Sequence, residues 1–260
     1  MYDTDSLTML STANLYVQKD SSFLTQSHTT SIDTRSGFRY LPGTLKEAEM
    51  IAGKLEKNGV STKTISGTDA VEESFIVLSR NESPSIIHFS THGFYFPEPN
   101  RTAVNNKNTY STTGETRFRA SSDPLLRSGL LMAGANRVWK GSFTSQDIED
   151  GILTAKEVSN MNLMNTQLVV LSACQTGQGD VKGNEGVEGL QRGFKMAGAR
   201  YMIMSLWEVP DKETTEFMGI FYDNWLEGKE IHEAFRNTQN IMNDKYKSDP
   251  FKWAAFVLVE

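Results

Sequence analysis

Two short segments of the sequence place residues capable of nucleophilic chemistry at the end of an apolar stretch. "SIIHFSTHG" ends on His92 and Gly93, and "QLVVLSACQTG" leads to Cys174, the only cysteine in the 260-residue chain. A thiolate is a nucleophile, and an imidazole can accept its proton and later protonate a leaving amine. If both stretches are neighbouring parallel strands, both side chains emerge at one edge of the sheet. The two segments therefore indicate a candidate Cys/His pair.

The backbone at the two strand ends supplies N–H groups suited to stabilise the negative charge that forms on a substrate carbonyl oxygen in such a reaction. Gly93 has no side chain to obstruct a substrate carbonyl, so the N–H groups of Gly93 and Cys174 are candidates for an oxyanion hole. An inert interpretation stays open, because a lone cysteine is commonly a small buried hydrophobe. A single histidine such as His92 is also commonly an ordinary capping or surface residue.

The surrounding pattern alternates helices with strands. Thr44 with Glu47, and Asp69 with Glu72, have the spacing of capping boxes ahead of amphipathic helices. Thr154 is expected to cap a further short helix. Strands are expected at "NLYVQ" (14–18), "STKTIS", "SIIHFS", "QLVVLSA", "RYMIMSLWEV" and "WAAFVLVE". This alternation predicts an α/β fold with a mostly parallel sheet covered by helices on both faces.

Composition narrows the class of protein. The net charge of -6 and the pI near 5.4 argue against nucleic acid and anionic membranes as direct partners. A single cysteine excludes an intrachain disulfide and fits a reducing compartment. Residues 1–20 do not resemble a signal peptide, and no apolar run approaches the ~20 residues of a membrane helix. We therefore expect a soluble, cytoplasmic protein.

The remaining histidines and the glycine-rich turn do not indicate a cofactor. His88 precedes His92 within the same strand and is expected to be a core histidine, and no clustering of ligands indicates a metal site. The turn "TGQGDVKGNEG" lacks the spacing of a phosphate-binding loop. Its glycines are expected to let the loop pass close to a substrate, so neither a metal nor an organic cofactor is expected.

A long polar stretch from Phe94 to Arg127 follows His92 directly. A patternless loop of this length is commonly functional or mobile. One interpretation is a lid or regulatory loop that is cleaved by the protein itself at a basic residue, and the other, which we favour, is a solvated insertion. The candidate basic residues are Arg101, Lys107, Arg117, Arg119 and Arg127.

"HFSTHGFYF" together with "VVLSACQTGQGD" closely resembles the signature of CHAT domains, caspase-like (clan CD) cysteine peptidases of bacteria that are related to separase. Five further blocks look like CHAT blocks in that family's order: "LPGTLKEAEMIA", "DPLLRSGLLMAGAN", "EDGILTAKEV", "EGLQRGFKMAGARYMIMSLWEVPD" and "DPFKWAAFVLVE". The resemblance implies a peptidase domain over 38–260, after a poorly patterned segment over 1–37 that could supply a first strand. It also implies a three-layer sandwich with a six-stranded sheet, a dyad of His92 and Cys174, and no metal or cofactor.

The resemblance further implies where a substrate binds. In caspase-like peptidases the edge of the strand corresponding to "YMIMSLWEV" pairs with an extended substrate, so Ser205, Leu206 and Trp207 would line the cleft. In separase-like enzymes an acidic residue just after this segment meets an arginine before the scissile bond. Asp211 occupies that place and Asp180 is a second candidate. As alternatives, Asp211 is the N-cap of a helix opening at Lys212, and Trp207 is a core aromatic.

These expectations amount to a cysteine endopeptidase that cleaves a protein substrate through an acyl-enzyme, as a regulated bacterial defence or signalling protease. CHAT domains are often fused to helical-repeat arrays or sensor modules, and some operate with CRISPR effectors or cleave pore-forming defence proteins, so a regulatory partner is expected. Two alternatives stay open. One is a non-catalytic peptide-binding module on the same fold, and the other is a thiol hydrolase or acyltransferase acting on a small molecule.

Overall fold

The computed structural model describes residues 7–11, 38–80, 82–99, 114–141, 150–173, 176–177, 179–181 and 187–260. Its strands are β1 (Leu7–Ser11), β2 (Thr62–Ile65), β3 (Ile86–Ser90), β4 (Gly93–Tyr95), β5 (Ser128–Leu131), β6 (Ile152–Thr154), β7 (Leu168–Ser172), β8 (Asp180–Val181), β9 (Val187–Glu188), β10 (Tyr201–Ser205) and β11 (Phe256–Val259). Its helices are α1 (Pro42–Lys57), α2 (Glu72–Arg80), α3 (Gly114–Arg119), α4 (Ala135–Trp139), α5 (Ala155–Val158), α6 (Leu190–Ala197), α7 (Asp211–Leu226) and α8 (Ile231–Lys245). Short 3-10 turns lie at Gly67–Asp69, Pro124–Leu126 and Pro250–Lys252.

A six-stranded sheet organises the molecule, in the order β11-β10-β7-β3-β1-β2. Five strands are parallel and only β11 runs antiparallel, against β10. The prediction of a mostly parallel six-stranded sheet is therefore confirmed. β3 and β7 lie side by side, and their pairing runs from Ile86 with Leu168 to Ser90 with Ser172.

The first strand comes from the segment before residue 38. β1 lies between β2 and β3, where Leu7 pairs with both Thr62 and Ile86. The strand expected at 14–18 lies outside the described residues. The poorly patterned start of the chain thus contributes an inner strand to the sheet.

Helices cover both faces of this sheet because residues along each strand alternate between two apolar cores. In β3, Ile86 faces the core formed with α1, α7 and α8, whereas Ile87 and Phe89 face the core formed with α2, α5 and α6. In β7, Val170 faces the first of these cores and Leu171 faces the second. The result is the expected three-layer α/β sandwich.

A small antiparallel sheet, β4-β5-β6, extends from the end of β3. Its own core contains a cluster of four aromatic side chains, those of Phe94, Phe96, Phe118 and Trp139. The stretch 94–127, expected to be patternless, therefore includes β4, α3 and a 3-10 turn. The residues 100–113 between them, including Arg101 and Lys107, lie outside the described part of the chain.

Arg127 closes this stretch as a buried cation. Its side chain donates from Nε to Phe96 O at 3.1 Å and from Nη1 to Ser121 O at 2.7 Å. Since the residue is only 1% exposed, it is not an accessible cleavage site. Arg117 and Arg119 are exposed on α3.

The helix starts show where local sequence rules hold. Thr154 and Glu157 form a complete capping box at α5, as expected of Thr154. By contrast α1 begins at Pro42 with no side-chain cap, and Thr44 Oγ1 donates to Leu41 O instead. Asp69 does not cap α2 either, because that helix begins only at Glu72. The two boxes predicted at Thr44 and Asp69 are therefore wrong, although both helices exist.

No helix in the described part of the chain is both long enough and apolar enough to cross a lipid bilayer.

Two helical glycines should respond to alanine in opposite directions. A β-carbon at Gly193 in α6 would lie 2.5 Å from Ala155 O of α5, whereas one at Gly53 in α1 would meet nothing within 4 Å. We expect Gly193→Ala to lower the free energy of unfolding by about 1–3 kcal/mol, because the clash is with backbone. Gly53→Ala should raise it by about 0.5–1 kcal/mol, because alanine is the better helix former. Urea unfolding followed by circular dichroism measures both. A Gly193→Ala protein as stable as the parent would contradict the described contact of α5 with α6.

Candidate active site

The pairing of β3 with β7 brings the two candidate catalytic positions to one edge of the sheet. Ser90 pairs with Ser172, and His92 and Cys174 each follow two residues beyond that pair. Cys174 itself lies outside the described residues, as do its side chain and amide. It directly follows Ala173, which is described, and consecutive Cα atoms are ~3.8 Å apart. The neighbouring parallel strands on which the Cys/His interpretation depends are therefore present.

His92 is held by a backbone carbonyl. Its Nε2 lies 2.6 Å from Arg39 O. A carbonyl can only accept, so Nε2 carries the proton and donates it, which leaves the lone pair of a neutral ring on Nδ1. The ring also packs against Phe38, with 5.2 Å between ring centroids. His92 thus has one nitrogen fixed by the protein and one available for chemistry.

Burial lowers the pKa of His92 below its ordinary value. The bond to Arg39 O and the negative charges of Asp211 and Glu208 act in the opposite direction but do not outweigh the loss of solvent. His92 is therefore largely neutral near pH 7, the form that a general base requires.

Gly93 presents its amide away from the small sheet. It stands opposite Leu130, and the neighbouring bond runs from Leu131 N to His92 O at 2.9 Å. This pattern makes Gly93 and Leu130 a non-hydrogen-bonded pair of the antiparallel ladder, in which the N–H groups point outward. The Gly93 N–H thus points away from β5, as an oxyanion donor must.

The residues on either side of Cys174 are hydrogen-bonded to the end of β10. Ala173 O accepts from Ser205 Oγ at 2.8 Å and from Thr176 Oγ1 at 3.2 Å, and Gly177 N donates to Ser205 O at 2.8 Å. A β-carbon at Gly177 would lie 3.0 Å from Leu206 Cδ2 and 3.2 Å from Ser205 O. The absence of a side chain at Gly177 therefore favours the close approach of this segment to β10.

A pocket opens between this edge of the sheet and the first turns of α1 and α7. The last residues of three parallel strands, Ser90, Ser172 and Ser205, contribute to it, and we call them the serine row. The full lining is Leu41, Gly43, Thr44, Glu47, Ser90, Thr91, Ser172, Ala173, Ser205, Val209, Asp211, Thr214 and Phe256. Among the described residues, this lining includes two carboxylates and no cationic side chain.

One buried hydroxyl of the pocket lacks a partner among the described residues. Four of the lining hydroxyls donate to nearby backbone carbonyls, those of Thr44, Thr91, Ser205 and Thr214. Ser172 is 7% exposed, and its Oγ has no hydrogen-bond partner in the described part of the chain. Because an unsatisfied buried hydroxyl is costly, Ser172 is a candidate for contact with a bound group.

Glu47 is fixed in the pocket wall by a buried chain of hydrogen bonds. Its Oε1 lies 2.7 Å from His88 Nε2, and His88 Nδ1 lies 3.2 Å from the hydroxyl of Tyr222. Burial, and then the charge of Glu47, raise the pKa of Tyr222, so its hydroxyl stays protonated and can donate to His88. The prediction that His88 is a core histidine is confirmed, since the residue is fully buried.

The acidic residue predicted to meet a substrate lies in the pocket lining. Asp211 is the first residue of α7, but the N-cap is Pro210 and no side chain caps the helix. The N-cap interpretation is therefore wrong. Asp211 is exposed and its Cβ approaches Gly43, where an added β-carbon would lie 2.8 Å away. Asp180 begins β8, and its side chain lies outside the described part.

The three residues expected to line the cleft, Ser205, Leu206 and Trp207, make different contacts. Ser205 lines the pocket, but its strand is already paired with β11, and Leu206 N donates to Ala255 O at 3.0 Å. The β10 edge is thus covered, so an extended substrate can pair only beyond Leu206. Trp207 is half-buried, packs against the core and donates from Nε1 to Phe251 O at 3.1 Å, contacts that fit a core aromatic and leave the cleft interpretation open.

Sequence reasoning missed the serine row, Glu47 and the Arg39 carbonyl. The first had a visible signal, because "IIHFS", "LVVLS" and "YMIMS" all end on serine. The other two had none, since both are contacts between residues far apart in the chain.

The pKa of His92 should follow the charges that face it. We expect a midpoint below the ordinary ~6.5 and a further decrease in Asp211→Asn and in Glu208→Gln, because each substitution removes a negative charge that favours the imidazolium. NMR titration of the imidazole in a Cys174→Ala background measures it. Glu233→Gln, at an exposed position of α8, is the control. An unchanged midpoint in Asp211→Asn would show that this carboxylate does not face the ring.

The sequence of this chain resembles a known domain family and parts of two curated proteins. The chain matches the CHAT domain family over residues 3–260. Among curated relatives, Tetratricopeptide repeat protein 28 from Homo sapiens is 33% identical over 113 residues, which are 43% of this chain and 4% of that protein. The Mus musculus protein of the same name is 32% identical over 109 residues, or 42% and 4%. This chain therefore corresponds to a small part of those relatives.

Solved structures with a similar fold include the Arg specific cysteine proteinase gingipain R (RGPB), with a TM-score of 0.54, 10% identity, and coverage of 97% of this chain and 45% of that chain. The complex of Porphyromonas gingivalis RgpB pro- and mature domains gives a TM-score of 0.54 at 11% identity, with coverage of 98% and 46%. At such identities the likeness shows the fold alone, that of caspase-like cysteine proteinases. Together with the family match over nearly its whole length, it shows that the chain belongs to the CHAT domain family and has the caspase-like fold.

Proposed function

We propose that this chain is a cysteine endopeptidase in which Cys174 is the nucleophile and His92 is the general base and acid. The observation that carries the proposal is the state of His92. It follows β3, the strand beside the one that Cys174 follows, and it has Nε2 bonded to Arg39 O, the lone pair of the neutral ring on Nδ1 and a lowered pKa. A histidine held in this way is suited to accept a thiol proton.

The reaction follows from these groups. His92 Nδ1 accepts the thiol proton of Cys174, and the thiolate sulfur attacks the carbonyl carbon of the scissile peptide bond. The carbonyl oxygen becomes an oxyanion, stabilised by the N–H groups of Gly93 and Cys174. As the C–N bond breaks, the imidazolium gives its proton to the leaving amine. A thioester remains, and water activated by His92 hydrolyses it and restores the thiol.

A basic residue before the scissile bond suits the pocket. Two carboxylates, Glu47 and Asp211, line it, and none of its described lining residues is cationic. A guanidinium offers two parallel N–H groups to the exposed carboxylate of Asp211. The unpartnered hydroxyl of Ser172 then accepts a further hydrogen bond from the same head group. An apolar side chain would make neither of these hydrogen bonds.

The biological setting that we propose is a regulated bacterial defence or signalling protease acting on a protein substrate in the reducing cytoplasm. Curated relatives are named as tetratricopeptide repeat proteins, which fits control by a helical-repeat or sensor module, fused or separate. The second candidate function is a non-catalytic peptide-binding module, which the same pocket would serve.

A thiol-directed peptide probe tests catalysis. We expect covalent labelling of the parent protein, none in Cys174→Ala, and a rate of labelling and of peptide cleavage about 100- to 10,000-fold lower in His92→Ala, because the base is lost. Intact-protein mass spectrometry and release of a fluorescent amine measure the two reactions. Equal labelling rates in the parent and His92→Ala would exclude the dyad. Peptide binding that persists in Cys174→Ala while no variant turns over any peptide would favour the binding module.

A matched set of peptides tests the pocket. We expect cleavage after arginine to exceed cleavage after norleucine, and Asp211→Asn and Ser172→Ala each to lower kcat/KM for arginine by about 10- to 100-fold, since each removes a hydrogen bond to a charged group. Rates with norleucine should change little. Ser83→Ala is the control, because Ser83 is also buried with an unpartnered hydroxyl but lies outside the pocket. A parent protein that cleaves after norleucine as well as after arginine would overturn the basic preference.

A further inference from the structure

Residues 38–41, which we call the strap, contact the side chain of His92 and lead directly into α1. Arg39 O accepts the Nε2 proton of His92 at 2.6 Å, and the Phe38 ring packs on the imidazole at 5.2 Å between centroids. Leu41 then serves as the N-cap of α1 and lines the pocket. The strap therefore determines which way the His92 ring faces.

A single side chain fastens the strap from a distance of 98 residues in sequence. Phe38 N donates to Asn136 Oδ1 at 2.7 Å, and Asn136 Nδ2 donates to Phe38 O at 2.8 Å. The side-chain amide of Asn136 thus bonds both the backbone N–H and the backbone C=O of Phe38. This two-point contact fixes the orientation of the strap as well as its position.

The same short helix also holds the Phe38 ring. Trp139 lies three residues after Asn136 in α4, on the same side of the helix. Its ring meets that of Phe38 edge to face at 4.8 Å between centroids. Trp139 is fully buried in the core of the small sheet, so α4 is a rigid support for the strap.

The segment that carries Asn136 also holds the backbone of His92. Leu131, at the end of β5, donates its N–H to His92 O at 2.9 Å. Gly134, with a φ of 94°, turns the chain from β5 into α4. Residues 131–139 therefore fix the main chain of His92 directly and its imidazole through the strap.

We propose that Asn136 is a positioning residue for His92, whose effect passes through the Phe38 backbone and the Arg39 carbonyl to the direction of Nδ1. The inference rests on the proposed function, because it assumes that His92 acts on Cys174. Without the amide of Asn136, the carbonyl that holds Nε2 is free to move, and the imidazole can rotate away from the thiol. A small displacement of a catalytic group can lower the reaction rate by a large factor.

The pH dependence of Cys174 alkylation by iodoacetamide tests this without a peptide substrate. Transfer of the Cys174 proton to the neutral Nδ1 of His92 would leave a thiolate beside an imidazolium. The attraction between the two charges favours this pair, so the parent protein should react with a midpoint well below the ~8.5 of a free cysteine. We expect the midpoint in Asn136→Ala to move towards ~8.5. For a cleaved peptide, we expect kcat to fall about 10- to 100-fold at unchanged KM, because the pocket is untouched.

Two further variants separate positioning from folding. Asn136→Asp keeps an acceptor for Phe38 N but loses the donor to Phe38 O, so its midpoint should lie between those of the parent and Asn136→Ala. Asn224→Ala also loses one amide bond, from Nδ2 to Ile220 O at 3.0 Å in α7. It is the matched control and should react like the parent. Thermal unfolding of each variant shows that it is folded.

The outcomes distinguish the two proposals. A parent midpoint near ~8.5 together with no peptide cleavage would overturn the proposed function and this inference with it. A depressed parent midpoint that stays the same in Asn136→Ala would overturn the inference alone. A lower melting temperature of Asn136→Ala without a shift in midpoint or in kcat would show that Asn136 is only structural, and would overturn the inference as well.

Discussion

The parallel pairing of β3 with β7 is the interaction on which the candidate site depends. Ladder bonds from Ile86–Leu168 to Ser90–Ser172 bring two chain segments about eighty residues apart to one edge with no offset. A slip of one residue would reverse the side chains of a whole strand between the two cores. Because both cores are filled with buried apolar side chains, such a slip is costly. The register at the edge that carries the candidate site is therefore maintained by side-chain packing in the two cores.

The proposed function places two opposing electrostatic requirements on the site, and the burial of His92 reconciles them. A general base must be neutral near pH 7, whereas a pocket for a cation must be negative, and negative charge favours the imidazolium. Burial of His92 outweighs the nearby charges of Asp211 and Glu208. The second carboxylate of the pocket, Glu47, is bonded to His88 on the sheet face instead. A negative pocket and a neutral base can thus coexist a short distance apart.

Local sequence rules succeeded where a feature depends on neighbouring residues. The apolar runs that end at Ser90 and Ser172 are strands, and Thr154 caps α5 with Glu157 as its spacing predicts. The rule failed at Thr44 and Glu47, which have the same spacing. There the carboxylate has a better partner, the buried ring of His88, and a buried charge without a bonded partner would be far more costly than an uncapped helix. Tertiary contact overrode the local preference.

The sequence alone determined the class of fold, the identity of the candidate dyad and the location of an acidic residue beside it. These depend on hydrophobic periodicity and on motifs that are each contiguous in the chain. Only the tertiary structure decided which backbone carbonyl holds His92, which hydroxyl of the serine row lacks a partner, and that β11 covers the edge of β10. It also decided that an inner strand comes from residues 7–11. The physical reason is that these features are pairings between residues distant in sequence, and their partners become neighbours only when the sheet and its two helical layers close.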